Sequence, residues 1–337
     1  MSYKKLEAED FIISADSISA TVWSSANPNL ITFFTSSTQE ASSAGNFYLN
    51  VYQTSSLLSE ADIQFAITYG NKYGSGSQNY NSLVNGKSPT RTIYGQYQNL
   101  VLGDENADFN FGGTTSSDFW AISIDRTRYK EKLFLGSLSL RLSGSLGHIT
   151  LTDDSRTTTT TTFNEAGRVY QLVSGSQGNV NTGVTSNGYS PLYGSYGLFL
   201  PDISTIILNP LALSSSIGLI ASASSNAIGG NNQRLYKSLS GSGIISASFK
   251  LNSEETISSN YIFIRVKNSE FNYTENPSFI SGSTGEILSP FIYNPQTYIT
   301  TVGLYNEVND LLAVAKISRP LPKNFTKEAL IRVKLDF

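Results

Sequence analysis

The chain has one histidine, His148, set in Gly147-His148-Ile149-Thr150. An imidazole can serve as a general base, but no Gly-x-Ser-x-Gly nucleophile elbow accompanies it. A hydrogen-bonded histidine at a strand end is the expectation. Adjacent carboxylates occur at Asp104/Glu105, Asp153/Asp154 and Glu254/Glu255. Glycosidase acid pairs face each other across about 5 Å or about 6.5–9.5 Å of space, so chain neighbours read as solvated turns. Asn85-Gly86-Lys87-Ser88 ends like a phosphate loop, yet position 81 is Asn where the motif needs Gly, and Pro89 follows. The glycines of 70–77 lack dinucleotide-loop spacing and read as a hairpin tip. With no cysteine and a single histidine, thiolate and multi-histidine metal sites are excluded within one chain. No catalytic residue, metal ligand or cofactor is assigned, and the chain is expected to be non-enzymatic.

The segment Arg126-Thr127-Arg128-Tyr129-Lys130-Glu131-Lys132 carries more physical content. On a strand, Arg126, Arg128, Lys130 and Lys132 would project from one face at intervals of roughly 6.5–7 Å. Such a stripe either docks an acidic subunit or anionic glycan, or protects an edge strand against pairing. The residues leave both readings open.

The elements that must position these groups are strands. Ile63, Phe65, Ile67 and Tyr69 alternate with polar or small residues, as do Trp120, Ile122 and Ile124, and Leu138, Leu140 and Leu142. Ile262, Ile264 and Val266 follow the same period, as do Ile331, Val333, Leu335 and Phe337. Period-two spacing buries one face of a strand. Gly, Ser and Asn clusters between the runs mark turns. Helical turns are expected only near Thr38–Ala44 and Ser253–Ile257; Thr326–Leu330 has fair helix propensity, but the alternation after it favours a strand. The expected fold is mostly β, as two antiparallel β-sandwich-like domains with long loops and few short helices.

A boundary is expected near residue 155, giving an N-terminal β domain at 1–155 and a C-terminal one at 156–337. There Asp153-Asp154-Ser155-Arg156 precedes six threonines, Thr157 to Thr162, which form an exposed linker or a Thr-rich edge strand. Stretches 174–190 and 214–232 read as long loops of the kind that bind a ligand or order against a neighbour.

Composition removes several function classes. Of the 337 residues only 15% are charged, against a usual share of about 25%, and the net charge is −3. Attraction to nucleic acid is not expected, and no apolar run is long enough for a membrane helix. The polar first ten residues lack a signal-peptide apolar core. Synthesis in a cytoplasm, with delivery by assembly, is expected. Asn272-Tyr273-Thr274 and Asn324-Phe325-Thr326 match the glycosylation pattern and are taken as chance.

The last hundred residues carry a family resemblance. They contain Asn268-Ser269-Glu270-Phe271-Asn272-Tyr273-Thr274-Glu275-Asn276-Pro277, then "YITTVGLYNEVNDLLAVAKISRPLPK" from Tyr298 to Lys323. This resembles a module of structural proteins from contractile-tailed, T4-like bacteriophages, especially marine ones. The second segment is similar to the strand–turn–strand element of tail-collar and tail-fibre attachment domains. Here the turn is Asn306-Glu307-Val308-Asn309-Asp310, with Val308 where a Gly or small polar residue is usual. The resemblance covers a quarter to a third of the chain, places the module at 236–337, and specifies structure rather than chemistry. It implies a virion structural protein assembled in the host cytoplasm, at the baseplate or fibre-attachment region of the tail. Its partners would be other virion structural subunits. A head or neck position, or a module binding a host surface glycan, are the alternatives. The alternation itself predicts that the terminal strand joins the sheet containing 298–305 and 311–317, and that Pro320 and Pro322 block its ladder.

Overall fold

Each alternating run becomes a strand in the computed structural model, which describes residues 3–35, 48–55, 61–76, 88–223, 230–241 and 246–336. Phe337, the expected helical turn at 38–44 and most of the phosphate-loop-like segment at 85–88 lie outside those residues. The fold is mostly β, with a large curled antiparallel sheet, smaller sheets and few short helices. The expected helical turn at 253–257 is absent, since that stretch lies in the strand Asn252–Val266, while 329–330 opens the strand Ala329–Asp336, as the alternation there favours.

The chain divides into two compact units, Ile18–Glu255 and Met1–Ser17 with Thr256–Phe337. The boundary expected at 155/156 is not where the chain divides. The strands Gly147–Asp153 and Gly167–Ser176 flank it and pair through Leu151↔Ser174, Thr152↔Val173 and Asp153↔Leu172. A division there would split a hydrogen-bonded ladder. The threonine run begins as a turn, with the Asp154 carbonyl accepting from the N–H groups of Thr157 and Thr158. It ends in the short strand Thr162–Asn164, which pairs back onto Val169, Arg168 and Gly167. The module expected at 236–337 is likewise shorter at its start, because residues up to Glu255 belong to the larger unit.

The larger unit is one antiparallel sheet. Its path runs Asn29–Leu30, Phe249–Lys250, Ser139–Gly144, Gly147–Asp153, Gly167–Ser176, Gly197–Leu200, Thr205–Leu208, Asp118–Ile124, Ile63–Asn71, Tyr48–Tyr52, Phe34–Thr35. The first and last members belong to the same short stretch of chain, so residues 29–35 pair with both ends of the path. The sheet therefore curls until its ends meet. Phe249, near one end, lies 5.5 Å from Phe65, near the other, and Trp23 packs on both at 4.8 and 6.2 Å. Phe65, Trp120, Ile122, Leu140, Leu151, Phe199 and Ile206 line this inner face. The helix Gly230–Ser240 fills the concavity with Leu235 and Leu239. Trp120 donates its indole N–H to the Asn231 carbonyl at 3.0 Å, and Tyr236 donates to the Phe33 carbonyl at 2.7 Å.

The central strands are buried on both faces. Trp120 and Ile122 point inward while Phe119 and Ala121 pack outward, and Leu198, Leu200 and Ile207 share that outer layer. The helix Pro89–Tyr97 covers it through Ile93 and Tyr94, with Phe109 and Phe111 of a small hairpin. Strands enclosed on both faces read as nearly continuous apolar runs, which Asp118–Ile124 and Thr205–Leu208 are. The expected loop at 214–232 is instead flanked by helices. Asn209 accepts from the N–H groups of Leu211 and Ala212, and Pro210 takes the first helical position of Pro210–Ile217.

In the smaller unit, residues 259–266 pair antiparallel with 329–336, from Ser259↔Asp336 to Val266↔Ala329. The strand Phe11–Thr21 flanks Asn252–Val266 in the same sheet. The strands Thr297–Tyr305 and Leu311–Lys323 form a separate hairpin that packs on this sheet through Ile299, Val302, Leu304, Ala315 and Leu321. The terminal strand thus does not join the hairpin's sheet as expected; its buried face, Ala329 and Val333, meets Ile262 and Ile264. The ladder also continues past Pro320, with Tyr298 opposite Pro322. A register shift between Ile299 and Thr301 accommodates Pro320 outside regular pairing, as bulges do. The same shift puts Ile299 on the buried face with Val302, although they are an odd number of residues apart.

Phe249→Ala should cost about 3–5 kcal/mol, measured by denaturant unfolding. A loss below about 1 kcal/mol would show that the curl does not depend on this contact. A second expectation concerns Asp202, which clamps the start of Gly167–Ser176. It accepts from the Arg168 backbone N–H at 2.8 Å and pairs with the Arg168 guanidinium at 2.5 Å. Gly167, at φ +96°, leaves no room for a side chain beside that carboxylate. Burial pushes the Asp202 carboxyl up, but its Arg168 contacts outweigh this and the net shift is down. A lowered carboxyl stabilises the fold above its unfolded value of about 3.9 and loses that effect as pH falls through the folded value. Wild type should therefore melt above Asp202→Asn at pH 7, and the gap should close below about pH 4. A constant gap would refute the assignment.

Candidate functional site

The basic segment is not a stripe. Asp125 ends the strand Asp118–Ile124, and its carboxylate accepts from the Thr127 N–H at 2.9 Å and the Thr127 hydroxyl at 2.5 Å. That cap bends Arg126–Arg128 into a turn of 3-10 helix, so the period-two geometry never forms. Arg126 folds back onto the carbonyls of Tyr129 and Lys130, at 2.6 and 2.9 Å, with its guanidinium 4.7 Å from the Tyr129 ring centre. Arg128 lies 3.4 Å from Asp62, Lys130 2.7 Å from Glu255, and Lys132 3.3 Å from Glu131. Each cation has a local partner, and pairs this exposed are worth about 0–1 kcal/mol. The four side chains do not present one face to an acidic subunit.

The adjacent carboxylates are structural. Asp104 accepts from the Asn106 N–H, Asp153 from Gly136 N–H, and Asp154 from Gln171 N–H. A further acid, Asp118, accepts from the Tyr69 hydroxyl at 2.8 Å and from Ser116 at 3.0 Å. Burial pushes both Asp118 and Tyr69 up, and the neighbouring carboxylate raises Tyr69 further. This pair fastens the two strands where Tyr69 lies opposite Trp120.

His148 is exposed on the strand Gly147–Asp153, opposite Ser143. It borders a cavity of about 420 Å³ lined by residues of the segment 174–192 together with Tyr196, Ser215 and Ser216. The segment is folded back on its own strand: Ser174 donates to the Gly188 carbonyl and accepts from the Asn181 N–H, and Gly175 pairs with Val180. Asn181, Tyr189 and hydroxyls line the cavity, Val184 and Leu192 are exposed at its edge, and no lining residue is charged. The volume lies within the range of small-ligand pockets. The lining holds the His148 imidazole and the hydroxyls of Ser174, Ser215 and Ser216 but no carboxylate, a set that offers hydrogen bonds to a neutral ligand.

The smaller unit shows a surface that residue spacing did not single out. It comprises under a third of the chain but carries more than half of the large apolar side chains exposed among the described residues. Ile13 is 76% exposed, Leu312 68%, Tyr298 58% and Val314 54%. The strand Phe11–Thr21 is exposed at nearly every position and contains no Pro, Lys or Arg. It lacks the usual protection of a sheet edge. The signal was present in Phe11-Ile12-Ile13 and Leu311-Leu312-Ala313-Val314: both strand faces are apolar where only one can face a thin core.

Beneath that surface, Lys323 has no solvent contact and no carboxylate partner at hydrogen-bond distance. Its ammonium donates to the Asn268 carbonyl at 2.8 Å, Asn272 Oδ1 at 2.9 Å and the Asn324 carbonyl at 3.0 Å. Desolvation draws its pKa down, opposed by the charges of Glu270 and Glu328. No family model, curated protein or solved structure matches the chain.

Lys323→Met keeps the side-chain length but leaves three oxygens without their donor. It should destabilise the smaller unit by at least about 1–3 kcal/mol and expose 268–272 to proteolysis. Unchanged melting and cleavage would show that Lys323 is not the anchor of that loop.

Proposed function

We propose that this chain is a non-enzymatic virion structural protein, a tail component of a contractile-tailed bacteriophage at the baseplate or fibre-attachment region. It acts by docking against other virion subunits. The observation that carries this reading is the apolar surface of the smaller unit. Exposed apolar side chains are concentrated in this unit, and association is the process that removes such surface from water. The resemblance of 298–323 to the strand–turn–strand element of tail-collar and fibre-attachment domains supports the same reading, since it falls in this unit. The low charge and the Ser- and Tyr-rich surface suit broad, wet contacts between subunits.

A second reading, a module that binds a host surface glycan, is favoured by the uncharged cavity beside His148. Hydroxyls, an amide and a tyrosine ring are the groups that a neutral sugar uses. The two readings separate on isolated protein: a glycan module retains carbohydrate when pure, whereas a docking subunit acquires its partners only in particles.

Leu312 and Val314 lie on the same face of Leu311–Lys323 and are both exposed. Leu312→Glu with Val314→Glu should leave melting unchanged and abolish incorporation into particles, read by stoichiometry on denaturing gels. Full incorporation of a folded double variant would overturn the docking role of this face.

A further inference from the structure

Two cations stand together on the outer face of the large sheet without a counter-ion. In Ser139–Gly144, Leu140 and Leu142 belong to the inner core, so Arg141 projects to the opposite face. Phe249 is also in the inner core, so Lys250 projects outward. Lys250 lies opposite Ser139, two residues from Arg141 along one face. Diagonal neighbours of this kind are about 7–8 Å apart, within reach of long side chains. Thr150 flanks Arg141 on the next strand, and Asn29 flanks Lys250 on the other side.

Both cations are half-buried. Neither takes part in any of the ion pairs among the described residues. The Nε of Arg141 is buried and has no hydrogen-bond acceptor among the described residues. Two like charges on adjacent strands repel, and a desolvated guanidinium N–H without an acceptor costs free energy. An oxyanion placed beside the two cations would offset their mutual repulsion.

We infer that Arg141 and Lys250 form a binding site for an oxyanion, with Thr150 and Asn29 as flanking hydrogen-bond donors. The guanidinium fork suits two oxygens of a carboxylate, phosphate or sulfate, and the lysine adds a point charge. The source of the oxyanion is either a free inorganic ion or the carboxylates of an acidic segment on another subunit. The site stands whether or not the chain is a virion protein.

The test is thermal melting of the full chain at constant ionic strength. Chloride is replaced in turn by phosphate, by sulfate and by a penta-glutamate peptide, for wild type and for the Arg141→Gln, Lys250→Gln double variant. Wild type should rise by about 2–4 °C once the effective anion exceeds its Kd about fivefold, and the variant should not. A variant-sensitive rise with phosphate or sulfate identifies a small oxyanion. One that appears with the peptide alone, or at lower concentration, identifies an acidic segment. No rise with any of the three, or an equal rise in the double variant, overturns the site; the equal rise would be general salt stabilisation.

Discussion

The contact of Phe65 with Phe249, closed by Trp23, is the constraint on which the larger unit depends. An antiparallel path of eleven strands would otherwise end in two open edges, each a template for unwanted pairing. Here 29–35 serves as the last strand at both ends, and the aromatic cluster holds the ends close enough for that. Once the sheet is curled, its concave face must be filled. The helix Gly230–Ser240 does so, and its backbone and hydroxyl groups are satisfied by the wall around it. Ser143 donates twice to Ser238, from its hydroxyl to the Ser238 carbonyl at 2.9 Å and from its N–H to the Ser238 hydroxyl oxygen at 3.1 Å. These bonds specify where the helix sits; the apolar contacts supply the driving force.

Local periodicity made the strands legible and left their partners hidden. Alternation around Phe65, Leu140 and Ile264 could be read because their large apolar side chains gather on one face of each strand, whereas the strand of Trp120 is buried on both. Nothing local announces that 259–266 pairs with 329–336, or that residues 1–17 share a unit with 256–337. The same limit explains the displaced boundary. A run of six threonines looks like a linker, yet the chain turns back at once because Asp154 holds the turn and the flanking strands pair. Helix Pro210–Ile217 was masked by its serines, whose propensity is weak. Its Asn209-Pro210 start was the signal to weigh more heavily.

Charge shows the same dependence on context. Arg126, Arg128, Lys130 and Lys132 form the most conspicuous cationic pattern in the chain, and the fold disperses it. One carboxylate, Asp125, is enough: by capping a turn it breaks the two-residue period, and each cation finds oxygen atoms nearby. Arg141 and Lys250 are 109 positions apart and form no pattern in sequence. Sheet register brings them together because Phe249 and Leu140 must both face the core. The burial of apolar neighbours, not the spacing of charges, decides which cations end up adjacent.

The two units differ in how much of their own apolar surface they can cover. The larger one has layers on both faces of its central strands, so inward and outward side chains alike find a core. The smaller one has one sheet and one hairpin, and its buried cluster is Ile262, Ile264, Val266, Ala329 and Val333. A body of about a hundred residues has a high ratio of surface to volume. With apolar residues on both faces of several strands, two layers can hide only one face of each. The outward set, Ile13, Leu312 and Val314 among them, then has no place inside the chain. Polar residues at those positions would cost the unit nothing internally, since the side chains touch no core. Under the proposed docking role, the apolar character of these positions is what association with another subunit would cover.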